Sequence, residues 1–199
     1  MRTLTHRAAA LALISTLALA GCGGSDDDTL ESGPKNSSGA SKSDDADAAS
    51  GSKIGGKGYS YSVPEGWATP EQKVPGTEQT DSFAANLTDA DGFADNINVI
   101  RLDPAPITDL DPLEQALFNE LTVAGSQDVT IQDRTEIAGD EAIHISAKHI
   151  QQAGTYLTEQ YNAIHDGVSY VVTFSFSDTV PQDERDKIAG SVLTTWTWS

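Results

Sequence analysis

The chain is poor in thiols, in positive charge and in long apolar runs, and each shortage removes a class of function. Cys22 is the only cysteine in 199 residues, so there is no internal disulfide and no thiolate pair to hold zinc. Stability has to come from packing. Lysine and arginine number 12 against 30 aspartates and glutamates, a net charge of −18. Such a surface repels phosphate backbones and anionic headgroups, which counts against nucleic acid as a partner while leaving cationic partners and divalent ions admissible. The longest apolar run, residues 8–20, is about thirteen long and falls short of the roughly 20 residues a membrane-crossing helix needs. A Gly-x-Ser-x-Gly elbow and a His-Glu-x-x-His pair are both missing from the sequence, so neither a serine hydrolase nor a zinc protease is indicated. The expectation is a protein that is not an enzyme and that carries no cofactor and no metal.

What is present begins at the N-terminus. Arg2 and Arg7 make a positive head, residues 8–20 an apolar stretch of secretory length, and Ala20-Gly21-Cys22 a run of small residues ending on the cysteine. This resembles the bacterial lipobox. The resemblance implies cleavage between Gly21 and Cys22, diacylglycerol on the Cys22 sulfur, and palmitate-class chains holding the protein on the extracytoplasmic face of the cell membrane. Two acyl chains anchor stably where one binds marginally, because each buried CH₂ contributes about 0.8 kcal/mol. Removing residues 1–21 takes Arg2 and Arg7 away and leaves 10 bases against 30 acids, net −20.

Residues 22–57 turn abruptly to Gly, Ser, Asp, Ala and Lys, with Leu30 and Ile54 the only large aliphatics. Such a segment buries too little apolar surface to offset the entropy of ordering it. It reads as a tether with a root-mean-square span of about 30–36 Å. The globular part is then residues 58–199, long enough for one core.

Alternation in Tyr59, Tyr61 and Val63 marks a half-buried strand, and Pro64-Glu65-Gly66 turns the chain so that Trp67 folds back on it. Two more strands, 82–87 and 96–102, flank an acidic loop. Asp89, Asp91 and Asp95 invite a calcium loop, but with Gly92 at position six the twelfth position is Asn98 instead of Glu, so a plain hairpin loop is the reading. A helix follows, with Asp111 as N-cap, Pro112 and Glu114 in its first turn, and Gly125 as its stop. Leu113, Ala116, Leu117, Leu121 and Ala124 form its apolar face. Four strands, 129–137, 142–150, 156–164 and 168–176, read as an antiparallel meander with turns at Gly139-Asp140, Gly154 and Asp166-Gly167. A last helix from Pro181 carries Ile188, Ala189, Val192 and Trp196 on one face.

The pattern Tyr59-x-Tyr61-x-Val63-Pro64-x-Gly66-Trp67, the strand around Asn96-Ile97-Asn98-Val99-Ile100, the Gly139-x-x-Ala142 turn and the closing Ser191-Val192-Leu193-x-x-Trp196 resemble the PsbP/Mog-type domain. Within it they are most similar to the LpqN-like lipoproteins, and a related branch of unknown function, in actinobacteria. The resemblance covers the whole globular part. It implies an α+β fold, an α/β/α sandwich with a central antiparallel sheet and helices on both faces. No functional motif of these branches matches residues here, so none of their partners carries over.

His144 and His149 lie five apart on one strand and point to opposite faces, so they cannot share a metal; His165 sits beside a turn, exposed. Tyr170, Phe174 and Phe176 read as core. Trp67, Trp196 and Trp198 read either as core closure or as the aromatics of a ligand cleft. Two functions follow from these features: an accessory or protein-interaction module of the cell envelope with a protein partner, or a binding protein for a small apolar (lipid) or glycan ligand held between sheet and helix.

Overall fold

The computed structural model describes residues 46–152 and 154–199. The signal segment, Gly21, Cys22 and most of the expected tether lie outside the described residues.

The first strand, β1 (Lys53–Gly56), pairs antiparallel with β2 (Tyr59–Ser62), and the far edge of β2 takes β11 (Thr197–Trp198). Tyr59 and Tyr61 alternate inward as expected. The globular body therefore starts earlier than residue 58. Ile54 is in the core, the Gly51 N–H donates to the Val63 carbonyl at 2.8 Å, and the Ala49 N–H donates to the Ser191 carbonyl at 3.0 Å. A glycine-rich edge strand needs only its ladder of backbone bonds and one apolar side chain to dock, and composition conceals both.

The second sheet has eight strands in the order β3-β4-β5-β10-β9-β8-β6, with β7 also on β8. These are β3 (Trp67–Ala68), β4 (Ser82–Asn86), β5 (Asn96–Leu102), β6 (Gln127–Ile131), β7 (Thr135–Ile137), β8 (Asp140–Gln151), β9 (Gly154–His165) and β10 (Val168–Ser177). Every pairing is antiparallel. The β9–β10 hairpin turns through Asp166 and Gly167, both at positive φ (48° and 75°), the geometry an Asp-Gly pair favours. The turn before β8 falls on Ala138-Gly139, one residue ahead of expectation, and the expected strand 129–137 is split in two. In the gap between the two strands Arg134 pairs with Asp111 at 2.6 Å and Glu114 at 3.1 Å.

Helix α1 (Leu110–Val123) is capped by Asp109 instead of Asp111. Asp109 is extended (φ −93°, ψ 125°) and its carboxylate accepts the Asp111 N–H, which places Pro112 in the first turn, where no N–H is needed. At the other end Gly125 adopts φ 87°, the Gly125 N–H donates to the Thr122 carbonyl and the Ser126 N–H to the Leu121 carbonyl, a left-handed stop of the Schellman kind. Leu113 of α1 joins Ile143 and Ile145 of β8 in a small cluster. Helix α2 (Gln182–Leu193) gives Ala189, Val192 and Leu193 to the main core, with Ala142, Tyr161, Tyr170, Phe174 and Phe176. Trp196 belongs to that core but lies beyond the end of α2. Among the described residues the fold is thus α+β, mostly antiparallel sheet with two helices. Among the described residues no helix is long and apolar enough to cross a membrane.

Candidate functional site

Along β5, Ile97 and Val99 are fully buried, so Asn96, Asn98 and Ile100 point the other way. With Phe83 of β4, Ser175 of β10, Tyr156 of β9, Phe93 and the loop 75–80, they line an open cleft of about 590 Å³. Aromatic rings stack beside it: Phe93 on Tyr156 at 5.5 Å between centroids and Tyr156 on His149 at 4.7 Å, both within about 12° of parallel. His149 is held by contacts of Nε2 with Thr158 Oγ1 (3.0 Å) and Nδ1 with Ser126 Oγ (3.3 Å), and burial pushes its pKa down, favouring the neutral ring. The cleft offers ring faces, amides and hydroxyls. Its one charged lining side chain is Glu78, which accepts the Gly76 N–H. That chemistry suits an uncharged ligand with apolar and hydroxyl-bearing parts.

The tryptophans, read from the sequence as either core closure or cleft aromatics, do not line this cleft. Trp67 and Trp196 are 5% and 3% exposed and belong to the main core. Trp196 lies nearly parallel to Tyr59 (4.6 Å) and Tyr61 (5.1 Å), while Trp198 covers His165 (4.4 Å) and meets Trp196 edge-on at 5.5 Å. The structure therefore joins Trp196 and Trp198 as core closure, and the cleft takes its aromatic wall from Phe83, Phe93 and Tyr156. Their spread over three elements hid them from the sequence. His165 is half-buried, with Nδ1 2.8 Å from Asp140 Oδ2, where exposure was expected.

A second polar constellation lies under α2. Glu159, midway along β9, has no exposed side-chain surface, and burying a lone carboxylate there would cost several kcal/mol. It is compensated: Arg185 Nε donates to Oε1 at 2.8 Å, Gln182 Nε2 to the same oxygen at 3.1 Å, and His144 Nε2 lies 2.8 Å from Oε2. Gln182 also donates to Asp186 Oδ1 at 2.8 Å, and its own carbonyl takes Arg185 Nη2. His144 stacks on Tyr161 at 4.2 Å, so His144 and His149 do face opposite ways, each against a tyrosine of β9. Burial pushes the Asp186 carboxyl above its ordinary range. His144, Glu159 and Asp186 each offer one ligand atom, all within 4.8 Å of one another. Sequence reasoning compared histidines with histidines, and this group draws on two strands and a helix.

The acidic loop is structural. Asp91 accepts the Phe93 N–H at 2.9 Å, and Asp89 accepts the Asp91 and Asp95 N–H groups. The buried Asp95 accepts the Ser177 N–H at 2.9 Å, with its pKa pushed up to about 6 by burial.

No family model and no curated protein sequence matches the chain. Its likenesses are to solved structures of the same fold class. A protein from Bacteroides thetaiotaomicron is similar with a TM-score of 0.50 at 12% identity over 75% of this chain, which spans about half (48%) of that protein. LpqN of Mycobacterium tuberculosis, described as involved in cell envelope biogenesis, is similar with a TM-score of 0.50 at 15% identity, over 73% of this chain and 88% of LpqN. Cyanobacterial PsbP from Synechocystis gives 0.46 at 16%, over 71% and 87%. At these identities the likeness is one of fold, and it bears out the coarser expectation of a mostly antiparallel α+β fold similar to that of LpqN.

Proposed function

We propose that this chain is a non-enzymatic accessory module of the cell envelope, lipid-anchored through Cys22 on the extracytoplasmic face of the cell membrane of an actinobacterium. The carrying observation is the pairing of Leu19-Ala20-Gly21-Cys22 with a downstream body whose fold is similar to LpqN. The reading includes helices on opposite faces of the sheet, and it is supported by adjacent β8 residues Ala142 and Ile143 belonging to the α2 and α1 clusters respectively. A long acidic tether suits a module that searches for an envelope protein and docks on it. Metabolic labelling with a palmitate analogue tests the anchor. The wild-type chain should carry label in the membrane fraction and Cys22→Ala should carry none; labelled Cys22→Ala, or unlabelled wild type, would sink it.

The cleft favours a second reading, a carrier of a small ligand with apolar or glycan character, held against Phe83, Phe93 and Tyr156. Native mass spectrometry of the chain recovered from its host separates the two. An excess mass that organic extraction removes supports the carrier, and a bare chain mass supports docking.

A further inference from the structure

We propose that His144, Glu159 and Asp186 form an open three-ligand site for a divalent transition-metal ion, Zn²⁺ in first place, between α2 and the sheet. The site is distinct from the sheet-face cleft and independent of how the chain is anchored.

The hydrogen bonds are distributed as a metal site requires. Arg185 and Gln182 occupy Oε1 of Glu159, which leaves Oε2 beside His144 Nε2. The same Gln182 amide occupies Oδ1 of Asp186 and leaves the other oxygen unengaged by it. One oxygen of each carboxylate is thus fixed, the role outer-shell partners play around bound metals, while Oε2 of Glu159 is engaged by His144 Nε2 at 2.8 Å, the contact that the ion would replace. Ligands at about 2.0–2.2 Å from a tetrahedral zinc stand roughly 3.3–3.5 Å apart. His144 Nε2 and Glu159 Oε2, 2.8 Å apart, would part by about 0.5–0.7 Å to admit the ion, while Asp186, the exposed member of the three, would close from within 4.8 Å by about 1–1.5 Å.

Charge points the same way. Glu159, wholly buried, and Asp186 are two carboxylates beside the one guanidinium of Arg185, so a divalent ion would add positive charge to the group. Arg185 does not compete for the ion's place, because it holds the opposite oxygen. One imidazole with two carboxylates is a donor set for zinc and its neighbours, while calcium takes six to eight oxygens that are not here. A small cleft of about 290 Å³, lined by Gln132, Thr135, His144 and Asp186 among others, opens onto the group and leaves a fourth position for water or for a partner's side chain.

The test is calorimetric titration of chelator-stripped full chain with ZnCl₂. Cys22→Ser removes the one thiol, and CaCl₂ and MgCl₂ serve as comparators. The expected result is one Zn²⁺ per chain with little heat from calcium or magnesium. Asp186→Asn should weaken binding at least about tenfold with an unchanged circular-dichroism spectrum, Gln182→Ala about 10–100-fold as an outer-shell loss, and Asp183→Asn on the same helix not at all. Extended zinc-edge absorption should show one imidazole with oxygen ligands. No saturable binding, binding that Asp186→Asn leaves intact, or an all-oxygen zinc shell would each overturn the assignment.

Discussion

The two apolar clusters divide the labour. The main one takes in Tyr59, Tyr61, Trp67, Tyr161, Tyr170, Phe174, Phe176 and Trp196, all nearly or fully buried, under α2 and the three-stranded sheet. The small one buries only Leu113, Ile143 and Ile145, with Leu110, Leu117 and Leu121 half-covered around them. Rings turned inward contribute cohesion and little recognition. On the β4–β5–β10 part of the sheet the outward residues are amides, hydroxyls and a few rings, and there the cleft opens. The buried rings and the open cleft thus occupy different parts of the molecule, and substitutions should separate their effects.

The sharpest separation is expected at Arg185. Replacing it with Ala leaves Glu159 buried without its guanidinium and should cost about 3–5 kcal/mol by chemical denaturation. Replacing Arg185 with Met and Glu159 with Leu together should recover most of that. A double variant as unstable as the single would mean that the bonds of Glu159 to His144 and Gln182, and not its pairing with the guanidinium, are what count. Next, Phe174→Ala in the main cluster should cost about 3–5 kcal/mol, and Leu113→Ala in the small one nearer 2. Equal losses would erase the contrast between the clusters.

A smaller effect follows from Asp95. The folded carboxyl keeps its proton to about pH 6, whereas the unfolded one releases it near 3.8. The folded state therefore binds more protons across that interval, and stability should fall as pH rises from about 4 to about 6. Asp95→Asn retains an acceptor for the Ser177 N–H and should flatten this slope, gaining about 1 kcal/mol at pH 7 once partial exposure is discounted. Urea midpoints at pH 4.5 and 7 decide it. The smallest stability effect belongs to the cleft: Tyr156→Ala should cost about 1 kcal/mol or less, yet abolish retention of any co-purifying ligand. If ligand retention survives the substitution, recognition lies elsewhere on the molecule.

Legibility followed the range of the interactions. The meander, its Asp166-Gly167 turn and the Gly125 stop are local patterns, readable because strand period and left-handed backbone are set within a few residues. The cap moved from Asp111 to Asp109 because both are aspartates two apart and only the backbone angles choose between them. Ile54 was hidden among glycines, since edge pairing leaves little trace in composition. Trp196 and Trp198 near the chain's end were compatible with core or cleft, and the choice was made by Tyr59 and Tyr61 more than a hundred residues away. Arg185, Glu159 and His144 were invisible for the same reason: each is ordinary in its own segment and acquires meaning only when α2 lands on β8 and β9.

The small sheet has a kinetic consequence. β2 and β11 meet across long stretches of chain: Ser60 bonds Thr197 at a sequence separation of 137, and the Ser62 N–H reaches Thr195 at 133. Closing so long a loop before the intervening sheet exists carries a large entropic cost. β11 should therefore join the local β1–β2 hairpin late, after the meander and α2 have drawn the ends near, and fray from it early. Amide exchange at Ser60, Ser62 and Trp198 should then outrun exchange at Phe174, through brief openings that leave the rest of the molecule folded.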